Sequence, residues 1–428
     1  MSEKLGPQEK FDSSDHSVEL NDNGHEVGHV SNFSTYFNIV CVIAGTGVLQ
    51  MGYSFTQSGW FASIITVLCC LLCIYTGHLI ILCLYHDKKT RLSGYSAVGE
   101  AAFGKPGYYI VHGFTLWFYF GVGCIFIMLI ATNLKELVDY AGASINLKVW
   151  TIISTAIICI PFILYKTMKE VHLLAVFGAL STLFTVIVIV IVGLSDRNKF
   201  SEASGHDNTG HKFVIASGLP ITLASISLSF GGSPVFPSIE KTMRSPKAWT
   251  PVLTLAMLTT LIMYMAAGVF SYLSYGQSTQ SPVFNSFEMT GITIAARIAI
   301  TLHIIFASPI LLITFALDIE KYLHIDREHM GKWKEFTFRV LLRAALMVIF
   351  CLVSMFVPAI GDFMSLIGAL MNTQIIFVFP VAFFLKLFGW RNVGWVHLVL
   401  CALTMVVGWL SCVIGTIDSI KNLIHSLS

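Results

Sequence analysis

Charge is scarce in this sequence. Only 12% of its 428 residues are Asp, Glu, Lys or Arg, against 55% that are hydrophobic. A soluble chain of this length cannot bury so much apolar surface, so the composition predicts a polytopic membrane protein with the lipid bilayer as its main partner. Acid at depth is missing as well. No apolar stretch has Asp or Glu at its centre, and Glu240, Asp318, Glu320 and Asp362 all fall at stretch ends. That pattern disfavours a carboxylate relay. There is no HExxH, no nucleophile elbow and no glycine-rich phosphate loop followed by Lys and Ser or Thr. Neither an enzyme nor a catalytic or metal site is therefore expected. The net charge of +2 gives no reason to expect a nucleic-acid partner. No cysteine sits in a loop. All ten (41, 69, 70, 73, 83, 124, 159, 351, 401 and 412) lie in apolar stretches and are expected to be free thiols. Residues 1–31 are polar, with seven acids against Lys4 and Lys10. They lack the basic start and cleavage site of a signal peptide and read as a disordered cytoplasmic tail.

What the sequence does have is a series of eleven apolar spans, at about 33–57, 59–85, 108–134, 149–165, 171–194, 214–239, 250–275, 291–318, 336–356, 362–385 and 393–416. With the N-terminus inside, cytoplasmic segments carry eighteen lysines and arginines. The opposite side carries six (Lys135, Lys148, Arg197, Lys199, Lys212 and Lys421). This bias predicts a cytoplasmic N-terminus and a C-terminus on the outer or lumenal side. Tyr95–Gly104 reads as a short amphipathic helix ended by glycine, residues 195–213 as a solvated connector, and Thr250-Pro251 as a helix start.

Two spans are interrupted. Gly45-Thr46-Gly47 lies halfway along the first, and Phe230-Gly-Gly-Ser-Pro-Val-Phe-Pro237 in the sixth. Broken helices in matching positions of two halves point to a secondary transporter's binding site. The expected fold is an all-α integral membrane protein of about eleven helices, built as a leucine-transporter-like 5+5 inverted repeat with helices one and six broken. Repeat one would cover about 33–194 and repeat two about 214–385, within a transporter domain of 32–420, with 393–416 as an extra helix.

The breaks suggest a ligand. Amides after Gly45-Thr46-Gly47 would begin a half-helix whose positive end suits a carboxylate. Carbonyls near Ala44 and at Phe230-Gly231-Gly232-Ser233 would suit an ammonium. Neither span has a charged residue at its centre, which fits a zwitterion. The plainer reading is that these glycines only permit close helix packing. Tyr119 and Phe230 are candidates to close over the ligand, or else pack. His303 lies mid-way along span eight, where an ionisable group is a functional candidate, here for proton coupling. A neutral, hydrogen-bonded histidine is the bland alternative, and a sodium ion held by backbone carbonyls and Ser308 is the rival coupling site. Arg297, nearer the outer face, is a gate or anchor or simply snorkels. Asn372, Thr373 and Gln374 either line the outer pathway or bond between helices. His78 reads as interfacial.

Gly45-Thr-Gly with Gly52-Tyr-Ser-Phe-Thr-Gln-Ser-Gly-Trp60 resembles the first span of the amino acid/auxin permease family. Tyr75-Thr-Gly-His-Leu-Ile-Ile-Leu-Cys-Leu-Tyr85, Phe236-Pro-Ser-Ile-Glu-Lys-Thr-Met243, Glu320-Lys-Tyr-Leu323 and Val357-Pro-Ala-Ile-Gly-Asp-Phe-Met-Ser-Leu-Ile-Gly-Ala-Leu370 are similar to its vesicular inhibitory and fungal vacuolar branch. The resemblance runs from about 33 to 420. His303 stands where the vesicular transporters are expected to have a lysine. The resemblance implies proton-coupled exchange of small neutral amino acids across an acidic organelle's membrane, with no cofactor beyond the transported proton or sodium ion. Spans one and six would move against three, four, eight and nine. A plasma-membrane proton or sodium symporter, a transporter-shaped sensor and a channel are the rivals.

Overall fold

A computed structural model describes residues 28–87, 90–164, 172–204, 210–325, 330–357 and 359–427. The polar tail up to residue 27 lies outside the described residues, as do Lys166 and Lys169. The described residues are mainly helical, and the only β-type pairing among them is an isolated parallel bridge between Val30 and Met243.

The first half comprises α1 (Asn32–Ser58), α2 (Phe61–Leu84), α3 (Tyr95–Tyr140), α4 (Leu147–Leu164) and α5 (His172–Ser204). The second half opens with α6 (Leu219–Ser229) and α7 (Phe236–Thr242), followed by α8 (Trp249–Tyr275), α9 (Gly291–Tyr322) and α10 (Lys332–Phe356). Span ten begins as α11 (Ile360–Ile367), passes through two π-helical turns at Gly368–Asn372 and Gln374–Val378, and resumes as α12 (Phe379–Phe388). The last helix is α13 (Trp395–Leu427).

Nine helices among the described residues are long and apolar enough to cross a membrane. The spans expected at 149–165 and 214–239 correspond to two shorter apolar helices, 147–163 and 216–229. The second of these is short because it is one half of a broken span. α1 is central: 83% of its apolar window is buried, against 22% for the window in Trp333–Phe356. It packs on α8, α5 and α6, and α9 packs on α5 and α3. All ten cysteines are unpaired, seven of them buried.

The break in span six has a direct cause. Proline has no N–H, and inside a helix its ring collides with the carbonyl four residues back. Pro234 and Pro237 would therefore strand the carbonyls of Phe230 and Ser233. The chain leaves the helix instead: Phe230 O accepts from Gly232 N at 2.8 Å, and Ser233 O from Phe236 N at 3.3 Å. Span one behaves differently. α1 runs unbroken from Asn32 to Ser58 through Gly45-Thr46-Gly47, so the expected first break is absent. Each glycine costs a helix only about 1 kcal/mol relative to alanine, and no proline is present to remove a hydrogen bond.

Smaller departures have local reasons. The amphipathic helix 95–104 ends as expected at Gly104 (φ 70°), where a kink joins it to the membrane-spanning part of α3. α5 extends to Ser204, into the expected connector, and its buried Asp196 accepts a hydrogen bond from the Tyr275 hydroxyl. α8 starts at Trp249, with Ala248 rather than Thr250 at its cap. The Thr250 hydroxyl instead meets Nδ1 of half-buried His78 at 2.8 Å.

Candidate substrate-binding site

The two halves meet where α1 passes the end of α6. Gly47 is there because nothing larger fits: a Cβ at this position would lie 2.1 Å from the Tyr264 hydroxyl. That hydroxyl, from fully buried Tyr264 on α8, is 2.7 Å from Ile43 O on α1 and 2.6 Å from Ser229 O at the end of α6. A phenol has one proton to donate, so two carbonyls compete for it. Its ring meets Phe230 edge-on at 5.0 Å. Gly232 packs against Ile43, and Gly231 against Oδ1 of Asn372. The first π turn of span ten swings Asn372 inward, and its Nδ2 donates to Ser227 O at 2.6 Å. Such π segments often mark functional sites.

His303 forms the other wall. A Cβ on Gly45 would sit 2.4 Å from its Nε2, and one on Gly178 of α5 would sit 2.3 Å from its Nδ1. The imidazole is thus a wedge between two helices, admitted by a glycine on each, and it is only 3% exposed.

The structure thus places Gly47 and Phe230 against Tyr264, Gly232 against Ile43 and Gly231 against Asn372 along the α1–α6 seam, with Gly45 against His303 of α9, while Ala44 is buried and Thr46 half-buried on α1. Two expectations about this seam need correction. No half-helix begins at Gly47, because α1 is continuous, so no positive helix end is presented there. Of the carbonyls expected to await an ammonium at the span-six break, Phe230 O already accepts from Gly232 N, Gly232 O from Val235 N and Ser233 O from Phe236 N, and beside Ala44 the Ile43 carbonyl accepts from Tyr264. Ser233 is buried in the break, and Ser308 donates to Ile305 O of its own helix at 3.1 Å. Tyr119 is buried on α3 against the ring of Phe118. Arg297 does not snorkel: it is 2% exposed and bonds the loop before α9. Of the polar trio in span ten, Asn372 bonds between helices and Thr373 bonds its own helix at Ala369 O.

Sequence reasoning missed Tyr264 and the Arg91–Glu240 pair. A tyrosine in the middle of an apolar span was a usable signal, because a buried hydroxyl needs a partner. Glu240 of α7 is fully buried and takes the Tyr85 hydroxyl at 2.6 Å and Arg91 Nε at 2.9 Å. Arg91 also donates to Pro237 O at 2.5 Å. Beside them the chain before α1 pairs with the chain after α7: Val30 N donates to Thr242 O at 2.9 Å and Arg244 N to Val30 O at 2.8 Å. These contacts close the face that the charge bias assigns to the cytoplasm. Toward the other face lies a cavity of about 490 Å³, lined among others by Tyr53, Lys135, Glu136, Gln280, Asn285 and Asp362. The arrangement is a seam of two helices closed at one end and hollowed at the other, the layout an alternating-access transporter needs.

Solved structures share this architecture. The inward-facing conformation of Mhp1 superimposes with a TM-score of 0.60 at 12% identity, covering 96% of each chain. MhsT in complex with L-phenylalanine does so at 0.59 and 11% identity, covering 94% of this chain and 99% of that one. The fold is thus that of the leucine-transporter-like membrane transporters. The family model for transmembrane amino acid transporter proteins matches residues 28–421, and the chain belongs to that family. Among its relatives, Amino acid transporter AVT1I of Arabidopsis thaliana is 26% identical over 407 residues, covering 94% of this chain and 97% of that protein. The Vesicular inhibitory amino acid transporter of Homo sapiens is 22% identical over 420 residues, covering 94% and 78%.

Proposed function

We propose that this transporter moves small neutral amino acids across the membrane of an acidic vacuole or vesicle in exchange for protons. The observation that carries the reading is the position of His303. It is a titratable side chain in mid-span, wedged between Gly45 of α1 and Gly178 of α5. Adding a proton there places a charge against two helices at once and favours an arrangement that lets it be solvated or partnered. The absence of any charged side chain at the centre of spans one and six suits a zwitterion, and the glycines along the seam suit a small side chain. The name of the human relative supports the vesicular membrane.

The test is uptake of a panel of labelled amino acids into proteoliposomes under imposed pH or sodium gradients. Saturable uptake driven by the pH gradient is expected. His303→Gln keeps size and hydrogen bonding but does not titrate. It should abolish proton-driven accumulation while leaving counterflow exchange measurable. Normal accumulation and pH dependence in His303→Gln would make the residue a packed polar group. Uptake driven by sodium alone would replace the proton as coupling ion.

A further inference from the structure

Span ten changes its hydrogen-bond register between Gly368 and Phe379. Thr373 N donates to Gly368 O and Phe379 N to Gln374 O, in each case five residues back rather than four. Runs of π turn are rare, so this one needs a local cause. Pro380 supplies half of it. In an α-helical register its missing N–H would strand Ile376 O, four residues back, and its ring would collide with that carbonyl. The π register removes the collision and moves the gap to Ile375 O, five residues back. An empty carbonyl there would also be costly, because Ile375 is fully buried.

Tyr95 fills that gap: its hydroxyl donates to Ile375 O. Tyr95 opens α3, in the short cytoplasmic helix that ends at Gly104, and it is buried. Its ring meets Phe383 of α12 edge-on at 6.1 Å, and Phe103, near the other end of the short helix, lies 6.3 Å from the same ring. The register is felt at Asn372, which ends the first π turn and donates to Ser227 O at 2.6 Å. Giving one residue back to the α register turns one side of a helix against the other by about 100° and shifts it by about 1.5 Å. Tyr95 and Phe103 hold α12, so the side that turns carries the Asn372 amide away from the end of α6. We infer that Pro380 and the Tyr95 hydroxyl together hold span ten in its π register and so keep Asn372 on the span-six break. Both are positioning residues for the seam, and through Tyr95 the short cytoplasmic helix is linked to it.

Alanine is the probe, because the role given to Asn372 rests on the amino-acid-transport reading. Purified full-length protein in nanodiscs is compared as wild type, Tyr95→Phe, Pro380→Ala and the double variant, by thermal unfolding and by equilibrium dialysis with labelled alanine. Tyr95→Phe empties a buried carbonyl and should unfold earlier and bind alanine about tenfold more weakly. Pro380→Ala restores an amide and lets the α register return. It should bind alanine as weakly as Tyr95→Phe yet unfold no earlier than the wild type, so its folding is not in question. The double variant should behave like Pro380→Ala. Wild-type binding in Pro380→Ala would overturn the inference. So would recovered binding in the double variant, because Tyr95 would then do no more than fill an empty carbonyl. If the wild type binds no alanine, the substrate reading fails by itself, and the register is read from structures of the wild type and Pro380→Ala solved by electron cryo-microscopy. Phe379 N moving from Gln374 O to Ile375 O in Pro380→Ala would support the inference, and Phe379 N on Gln374 O in both would overturn it.

Discussion

Spans one and six carry the same kind of interruption in sequence and answer it differently. Gly45-Thr46-Gly47 stays inside one helix of 27 residues, while Phe230–Val235 separates α6 from α7. The difference is proline. Glycine lowers the preference for helix but leaves every N–H in place, so packing along α1 restores it. Pro234 and Pro237 each delete a hydrogen bond and add a clash. Glycines in a membrane helix thus report close approach by a neighbour, and here the neighbours are identifiable: His303 at Gly45 and Tyr264 at Gly47. Beside the direct bonds of Ser54 to Ser225 and Thr222, a tyrosine hydroxyl shared between Ile43 O and Ser229 O joins the two spans.

Breaking the comparison from the α1 side should have the largest effect. Gly47→Leu would drive a side chain through the position of the Tyr264 hydroxyl. Overpacking of this kind costs about 1–3 kcal/mol, and transport in proteoliposomes should be lost while the protein still reaches its membrane. Retained transport with near-normal substrate affinity would remove this stretch of α1 from the site. Tyr264→Phe is next. It takes away only the shared hydroxyl and leaves buried carbonyls without that donor, at a cost of about 1–3 kcal/mol. Thermal unfolding in micelles should fall accordingly and transport should drop without vanishing. An unchanged midpoint would mean that the hydroxyl contributes nothing to joining the two spans.

A third variant sharpens the account of span six. Pro234→Ala combined with Pro237→Ala restores two amides. Hydrogen exchange across 231–237 should slow as the helix closes, with transport reduced several-fold. Unaltered exchange would show that Asn372 and Tyr264, not the prolines, hold the break open. The smallest effect belongs to Thr46→Ala. Replacing a β-branched residue inside a plain helix should raise stability by about 0.5 kcal/mol and leave transport within about twofold, the scale of a sub-kcal/mol change. Loss of transport would return the Thr46 hydroxyl to the binding site.

Much of the fold was legible because its signals are local. Apolar length marked the spans, proline marked the sixth break, and Gly104 marked the end of the cytoplasmic helix. His303 was legible as an ionisable group at depth. Its setting was not, because Gly45 and Gly178 reach it from helices far apart in the chain. The same holds for Asn372, whose role depends on a π turn that rotates it toward Ser227 O. Arg297 was visible as a charge near a span end, and snorkelling was the simpler reading. Only the fold of the loop at Phe284 and Asn285 over it shows that it is enclosed. The continuity of α1 was illegible for a related reason: glycine serves packing and breaking equally well, and the sequence does not say which neighbour arrives.

The short pairing of Val30 with residues 242–244 weighs on the opening equilibrium. α7 cannot swing away from α1 at this end without first parting two backbone hydrogen bonds. At about 1 kcal/mol net for each bond, that step alone makes the opened form about thirty-fold scarcer. The pairing runs backbone to backbone past Gly28, where a Cβ would lie 2.4 Å from Met243 O. Its strength therefore depends little on the side chains it joins and heavily on the glycine beside it. The segment before α1 is in that sense a latch, held by two hydrogen bonds and admitted by the smallest residue in the chain.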